Sequence, residues 1–328
     1  MSQRFLITGA FGCIGAWTVR RLVAEGASVF TYDIGGDSYR LRLIMDEDEL
    51  AKVTLLTGDI TDLEAFEAAV VDNGITHIIH LAALQVPFCR AAPVLGAQVN
   101  VVGTAVVFEA VKRHMEQIEG LVFVSSFGVY GEAEHYPSGP LAYDAPLLPP
   151  TLYGVYKQAN EGTAKIFWRE HGLHSTGLRP CIVYGPGRDQ GNTSTPTKAM
   201  LAAALGRQLH INFGGTIIYH HADDVATVMI AAARKRLEGA PCFNIGGSTI
   251  SMEEIVATIE DVIPGAAGNI TYEKSSLPHP SSIDDSALNA ALGPIDYRSF
   301  KDGVRDTIDL FMEARDAGRL DVDIALRA

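Results

Sequence analysis

Basic residues are in short supply. The 328 residues hold 26 Lys and Arg against 39 Asp and Glu, a formal net charge of −13. A protein that tracks phosphates along a nucleic acid needs a basic face, and no Lys/Arg run supplies one, so nucleic acid is not an expected partner. Cysteine is sparse as well. Cys13, Cys89, Cys181 and Cys242 are scattered, with no CxxC pair and no Cys/His grouping at metal-ligand spacing. Reduced, buried thiols are expected, and no metal. Also missing is any stretch of about 18 apolar residues free of charge and glycine, so no membrane span is expected. The opening residues 1–9 pair a charge with an apolar run. Glycines at 9, 12 and 15 interrupt it, and no small-residue cleavage site follows Arg20-Arg21. A first strand and turn is the better reading, with the cytoplasm as the expected location.

What is present is a large apolar fraction, 47%, enough to bury a substantial core. Short apolar runs at 4–8, 28–32, 53–57, 77–82, 121–125 and 175–179 alternate with helical patterns at 12–25, 63–73, 91–114 and 153–170. Near-continuous apolar strands suit a parallel sheet covered on both faces. Alternation with helices makes it an α/β, doubly wound sheet. After Pro180 the texture changes: residues 185–197 read as a functional loop. Helices at 198–205 and 223–236 follow, with a short extended piece between them. A strand at 241–245, helices at 252–262 and near 300–315, and a Pro/Ser-rich segment at 275–282 complete the chain. The expected division is a dinucleotide domain over 1–184, with 218–247 returning to it, and a smaller substrate-binding domain over most of 185–328.

Thr8-Gly9-Ala10-Phe11-Gly12-Cys13-Ile14-Gly15 lies between the first strand and the first helix. Gly9 permits a tight turn, Gly12 lets backbone approach a pyrophosphate, and Gly15 allows close helix–strand packing. Phe11, Gly12, Cys13 and Ile14 are thereby expected at the cofactor, on the anion-attracting start of the helix. Asp33, at the end of the second strand, can accept both ribose hydroxyls of NAD and repel the 2′-phosphate of NADP. NAD is the expected cofactor. Arg40 and Arg42 fall too far along the chain to count as phosphate clamps.

Ser125-Ser126-Phe127-Gly128 follows the fifth strand, and Tyr153-Gly154-Val155-Tyr156-Lys157 opens a later helix. Tyr153 and Lys157, four apart, share one helix face. Oxidising a secondary alcohol needs a hydride acceptor and a base for the hydroxyl proton. A phenol near pKa 10 must be lowered by about 3 units to act at neutral pH, roughly 4 kcal/mol that a nearby Lys⁺ and the positive ring of NAD can supply. Ser126, Tyr153 and Lys157 are therefore the expected catalytic residues, Ser126 binding the reacting oxygen.

With these motifs in order, the chain resembles the extended short-chain dehydrogenase/reductases, the NAD-dependent epimerase/dehydratase family, over almost its whole length. The resemblance implies a Rossmann-type fold with a C-terminal substrate-binding domain. Asp59 and Ile60 would face the adenine. Leu81, Ala82 and Ala83, after His80, would lie under the nicotinamide ribose, and Asn100 would open the next helix. Pro180 and Val183 would flank the cofactor at the crossing into the substrate domain. For His80 and for Asp223 and Asp224 a purely structural role is favoured. A homodimer through the 91–114 and 153–170 helices is implied as well.

Departures bear on the substrate. The Asp-Glu pair that follows the catalytic Ser or Thr in the family's dehydratases is replaced by Phe127-Gly128, which argues against elimination chemistry. Ile182 and Ile217 stand where the family's nucleotide-sugar enzymes carry an Asn and an Arg for the diphosphate. Charge-assisted bonds worth about 1.5–3 kcal/mol each are lost there. The expected substrate is a sugar, sugar acid or polyol held by Ser126, Phe127, Arg188 and Thr193, with Arg188 suited to a carboxylate. The expected outcome is dehydrogenation or epimerisation. UDP-hexose 4-epimerase is the alternative, and a non-catalytic NAD-sensing regulator a remote one.

Overall fold

The computed structural model describes residues 3–327. In chain order the strands are β1 (Arg4–Thr8), β2 (Ser28–Asp33), β3 (Val53–Thr57), β4 (His77–His80), β5 (Gly120–Val124), β6 (Thr176–Arg179), β7 (Ile182–Tyr184), β8 (Leu209–Ile211), β9 (Thr216–His221), β10 (Cys242–Asn244), β11 (Ser248–Ser251) and β12 (Ile270–Tyr272). Seven of them form one parallel sheet in the order β10-β6-β5-β4-β1-β2-β3. The helices of the first half are α1 (Cys13–Ala24), α2 (Tyr39–Ile44), α3 (Glu47–Leu50), α4 (Leu63–Asp72), α5 (Val86–Ala91), α6 (Pro93–Ala97), α7 (Gly103–Arg113) and α8 (Leu152–His171). Those of the second half are α9 (Thr195–Ala204), α10 (Ala222–Lys235), α11 (Met252–Val262), α12 (Ser286–Leu292), α13 (Phe300–Asp316) and α14 (Val322–Leu326).

The pleat of the strands sorts side chains between two cores. Phe5 and Ile7 of β1 point into a cluster with α1 and α10, together with Ile79, Val122 and Leu178. Leu6, Ile78, Leu121 and Phe123 point the other way, onto Phe66 of α4 and Val107 and Phe108 of α7. Helices thus cover both faces, as the unbroken apolar strands require. A third cluster joins β7, β9, α9, α11 and α13 through Ile182, Ile217, Met200, Ile255 and Val304.

Some elements differ from the sequence reading. The helix expected over 91–114 is broken. Ala92 adopts φ −137°, ψ 78°, since the residue before Pro93 is disfavoured in helical geometry. A wide turn over Gln98–Val102 then interrupts the restarted helix with π-type pairing and buries Asn100. The stretch from Pro93 to Arg113 is long and apolar enough to cross a membrane, with half of its most apolar window buried. Here that apolarity is used by Val106, Val107, Phe108, Ala110 and Val111 in the core against the sheet. The helix expected at 198 begins at Thr195, with Pro196 in its first turn, where a missing N–H costs nothing. The piece expected as one extended segment is two strands, β8 and β9, and two short helices, α2 and α3, lie between β2 and β3.

Strand β10 and helix α10 pack with the seven-stranded sheet, against β6 and α1 respectively. Strands β7 and β9 instead pair with β11 in a separate three-stranded sheet. The carboxyl ends of β1, β2, β4, β5 and β6 open on one edge of the main sheet, where ligands of open α/β sheets bind.

Candidate active site

At the first strand end, Gly9 has φ +65°, and a Cβ there would lie 2.6 Å from the Ala82 nitrogen. A side chain at Gly15 would strike the carbonyl of Gly9 and the Cα of Ala10. Only glycine allows this turn to fold so tightly against the end of β4. Gly12 is the N-cap of α1, and no side chain caps that helix start. Its first N–H groups, at Cys13 and Ile14, are left to a ligand, which favours an anion.

Asp33 crosses to the turn. Its carboxylate accepts from the Phe11 N–H at 3.0 Å and from the Ile34 N–H at 2.9 Å. Burial pushes its pKa up, against those two hydrogen bonds. Arg40, discounted from sequence, does reach the turn. It donates to the Phe11 carbonyl at 2.8 Å and pairs with Asp189 at 2.6 Å. It is committed to those partners, and Arg42 pairs with Asp37, so neither presents a free guanidinium to a 2′-phosphate. The cradle, the uncapped helix and the carboxylate fit a dinucleotide of the NAD type.

The other expected cofactor residues follow the same edge. Leu81 and Ala82 donate to the Thr8 hydroxyl at 3.1 and 3.2 Å. Asp59 folds its carboxylate onto Thr61, and Ile60 is buried against Gly103. Asn100 is fully buried, its amide spent on both backbone groups of Leu84 and on Cys89. It therefore acts on this edge by fixing the chain after Ala83. The Pro180 carbonyl accepts from the Phe127 N–H at 3.0 Å, and Val183 is buried beside it. His80 bridges Thr8 and Thr104, and burial holds its pKa down to about 3. It is a neutral core histidine. Asp223 and Asp224 are likewise structural, bound by Arg21 and Arg298.

Ser126, Tyr153 and Lys157 come together at the end of β5. Ser126 caps a short 3-10 turn, its hydroxyl accepting from the Gly128 N–H at 3.0 Å. A Cβ at Gly128 would sit 3.3 Å from that hydroxyl and 3.7 Å from the Tyr153 ring, so both groups border the same point. Gly154 lies against the Gly128 carbonyl with no room for a side chain, which seats the start of α8 on the serine turn. Lys157 is 2% exposed. Its Nζ donates to the Val124 carbonyl at 2.9 Å and lies 5.7 Å from the Tyr153 ring centre.

Burial raises the Tyr153 phenol above its usual value, with Ser126 and Arg188 opposing the rise. Burial also lowers Lys157 to about 8. Desolvation outweighs the local charges, so these residues by themselves do not acidify the phenol. Phe127, expected at the substrate, is 3% exposed and packs against Tyr130 and His279. Arg188 and Thr193 do meet, at 3.1 Å, beside Gln85. Ile182 and Ile217 are core residues, packed with Phe213 and Met252.

Sequence reasoning missed Glu161, eight residues beyond Tyr153 on α8. Glu161 is 1% exposed, accepts from Ser125 at 2.5 Å and is held by both arms of Arg179 at 2.6 and 2.7 Å. Its spacing of four from Lys157 places it on the buried face, and a carboxylate there was the available signal.

The profile of the NAD dependent epimerase/dehydratase family matches residues 5–246. A UDP-glucose 4-epimerase of Mycolicibacterium smegmatis is 30% identical, over 94% of this chain and 98% of its own. A dTDP-glucose 4,6-dehydratase of Streptomyces griseus is 27% identical, over 96% of each. Among solved structures, the UDP-glucose 4-epimerase of Thermus thermophilus in complex with NAD superposes with a TM-score of 0.79. It is 26% identical and covers 95% of this chain and 100% of that one.

Proposed function

The chain belongs to the NAD-dependent epimerase/dehydratase family, and from that premise we propose that it oxidises a secondary hydroxyl of a carbohydrate-type substrate at Ser126, Tyr153 and Lys157. The observation that carries this is the convergence of the serine turn, the phenol and the buried ammonium at one strand end, next to a dinucleotide cradle. Bound NAD would supply a hydride acceptor for the carbinol carbon. Gly9, Gly12 and the start of α1 would hold its pyrophosphate, and Asp33 the adenosine ribose. Ser126 hydrogen-bonds the reacting oxygen, the Tyr153 phenolate takes its proton to become the phenol, and Lys157, from its post on Val124, favours the phenolate form beforehand. Ketone release makes the reaction a dehydrogenation, and hydride return to the opposite face an epimerisation.

Two substrate readings remain. The curated relatives favour a nucleotide-sugar 4-epimerase acting on a UDP-hexose. The burial of Ile182 and Ile217 in a packed core removes much of the sequence argument against it, because a core position explains an isoleucine without reference to a ligand. A free sugar acid is supported by Arg188, whose guanidinium meets only the neutral acceptors Gln85 and Thr193. Incubation with NAD and panels of UDP-sugars, uronates, aldonates and free sugars decides, with NADH absorbance and epimeric products followed together. Interconversion of UDP-glucose and UDP-galactose supports the first reading, and NADH formed from a free sugar or acid the second. No reaction with any hydroxyl-bearing sugar sinks both.

A homodimer is part of the same proposal. Val94, at 74% exposed, with Phe88, Leu95, Val102, Val155 and Ile166 leaves an apolar strip on α5 to α8, suited to a second copy of this chain. Cytoplasmic residence is proposed on the scattered, reduced cysteines.

A further inference from the structure

Arg188 differs from Arg40, Arg179 and Arg298. Arg40 is paired with Asp189, Arg179 with Glu161, and Arg298 with Asp223 and Asp224. Among the described residues, Arg188 has only neutral acceptors. Its Nη1 reaches the Gln85 side-chain Oε1 at 3.4 Å and its Nη2 the Thr193 hydroxyl at 3.1 Å, while its Nε is buried without a partner among the described residues. The adjacent Asp189 gives one carboxylate oxygen to Arg40 and Arg327, and its remaining oxygen is buried without a hydrogen bond. Gln85, which Arg188 contacts, follows the end of β4, and Pro186 of the same loop accepts from Trp17 of α1. The guanidinium therefore lies on the carboxyl-end edge of the sheet, on the side of the glycine turn. Among the described residues no carboxylate pairs with this cation, and the nearby Asp189 is already engaged by Arg40 and Arg327.

We propose that Arg188, with Thr193 and Gln85 orienting it, is the cationic wall of an oxyanion site on the carboxyl-end edge of the sheet, on the side of the glycine turn. The chemistry it recognises is a planar or tetrahedral oxyanion, carboxylate or phosphate, which a guanidinium binds through paired N–H groups. Two sources can supply it: an acidic group on the substrate, or the pyrophosphate of NAD. The loop that carries it is braced for the task. The Pro186 carbonyl accepts from Trp17 of α1 at 2.9 Å, and Asp189 ties the loop through Arg40 to the Phe11 carbonyl. The site rests on the functional reading above, in that the turn bounds it.

Arg188→Gln and Arg188→Lys test it by binding, without need of turnover. Calorimetric titration of NAD into each protein forms one arm. Titration of the NAD-loaded proteins with glucuronate, galactonate, UDP-glucose and neutral glucose forms the other. Loss of about tenfold or more in NAD affinity for Arg188→Gln, with partial recovery in Arg188→Lys, identifies the pyrophosphate as the anion. The same loss confined to the acids or to UDP-glucose, with glucose unaffected, identifies the substrate. An Arg188→Gln protein with unchanged melting temperature that binds NAD and every probe within about two-fold of the parent overturns the site. Tyr153→Phe in the same titrations separates this from the functional reading. If that variant still turns over, Tyr153 is not the base, whatever Arg188 binds.

Discussion

The ammonium of Lys157 is fixed to the carbonyl of Val124 at 2.9 Å, two residues before Ser126. One buried contact thus joins the helix that carries the phenol to the strand end that carries the serine. The catalytic group is a product of packing between α8 and β5, and its titration reflects that burial.

Because burial raises the Tyr153 phenol, hydroxyl oxidation should climb with pH, less steeply once Lys157, lowered to about 8, gives up the charge that favours the phenolate. The active base is the phenolate, whose fraction grows as pH rises toward a pKa that is elevated in the protein, whereas carbonyl reduction should fall over the same range. Lys157→Met removes a cation that favours the phenolate. Its rising limb should move to higher pH, with turnover near neutrality reduced by about two decades or more. pH–rate profiles of both proteins check this, and superimposable profiles would remove Lys157 from the account.

Glu161 and Arg179 form a buried bidentate pair beneath the site. Glu161→Gln leaves the Arg179 charge uncompensated and should destabilise the fold by about 3–5 kcal/mol. The double variant Glu161→Leu with Arg179→Met removes both charges and should regain much of that loss. Thermal or denaturant melts measure it. Equal stability of parent and Glu161→Gln would show that the pair contributes little.

Asp33→Ala should weaken NAD binding more than NADP binding, since it removes an acceptor for the ribose diol together with the repulsion of a 2′-phosphate. It also frees the N–H groups of Phe11 and Ile34. As burial raises the pKa of Asp33, NAD affinity of the parent should decline on acidification from a higher pH than an ordinary carboxylate would give. Fluorescence titrations with each cofactor across pH test both points. A parent that prefers NADP would contradict the assignment.

Much of this is legible in the sequence. The strand–glycine turn–helix unit at 4–24, Asp33 and the Tyr153/Lys157 pair are local patterns with a fixed spacing. The β1–β6 runs are recognisable because a doubly covered sheet demands unbroken apolar stretches. What stays hidden is long-range. Arg40 reaches the turn only because α2 folds back, and its partner Asp189 lies 149 residues away. Phe127 reads as a substrate residue from its place beside Ser126, and its packing with Tyr130 and His279 is visible only in the fold. Ile182 and Ile217 read as missing ligands, whereas the β7–β9 pairing makes them core. Their three- and six-residue strands are too short to announce themselves by periodicity.

The most direct measurement is turnover of Tyr153→Phe beside its affinity for NAD, on the best substrate that the sugar panel yields. The phenol hydroxyl is the only group the substitution removes, and it acts on the proton of the reacting hydroxyl. The account predicts NAD affinity within about two-fold of the parent and turnover lower by about two to four decades, the usual worth of a positioned acid–base group. Turnover near that of the parent, with NAD bound equally well, would contradict the assignment of Tyr153 and with it the reaction proposed for this site.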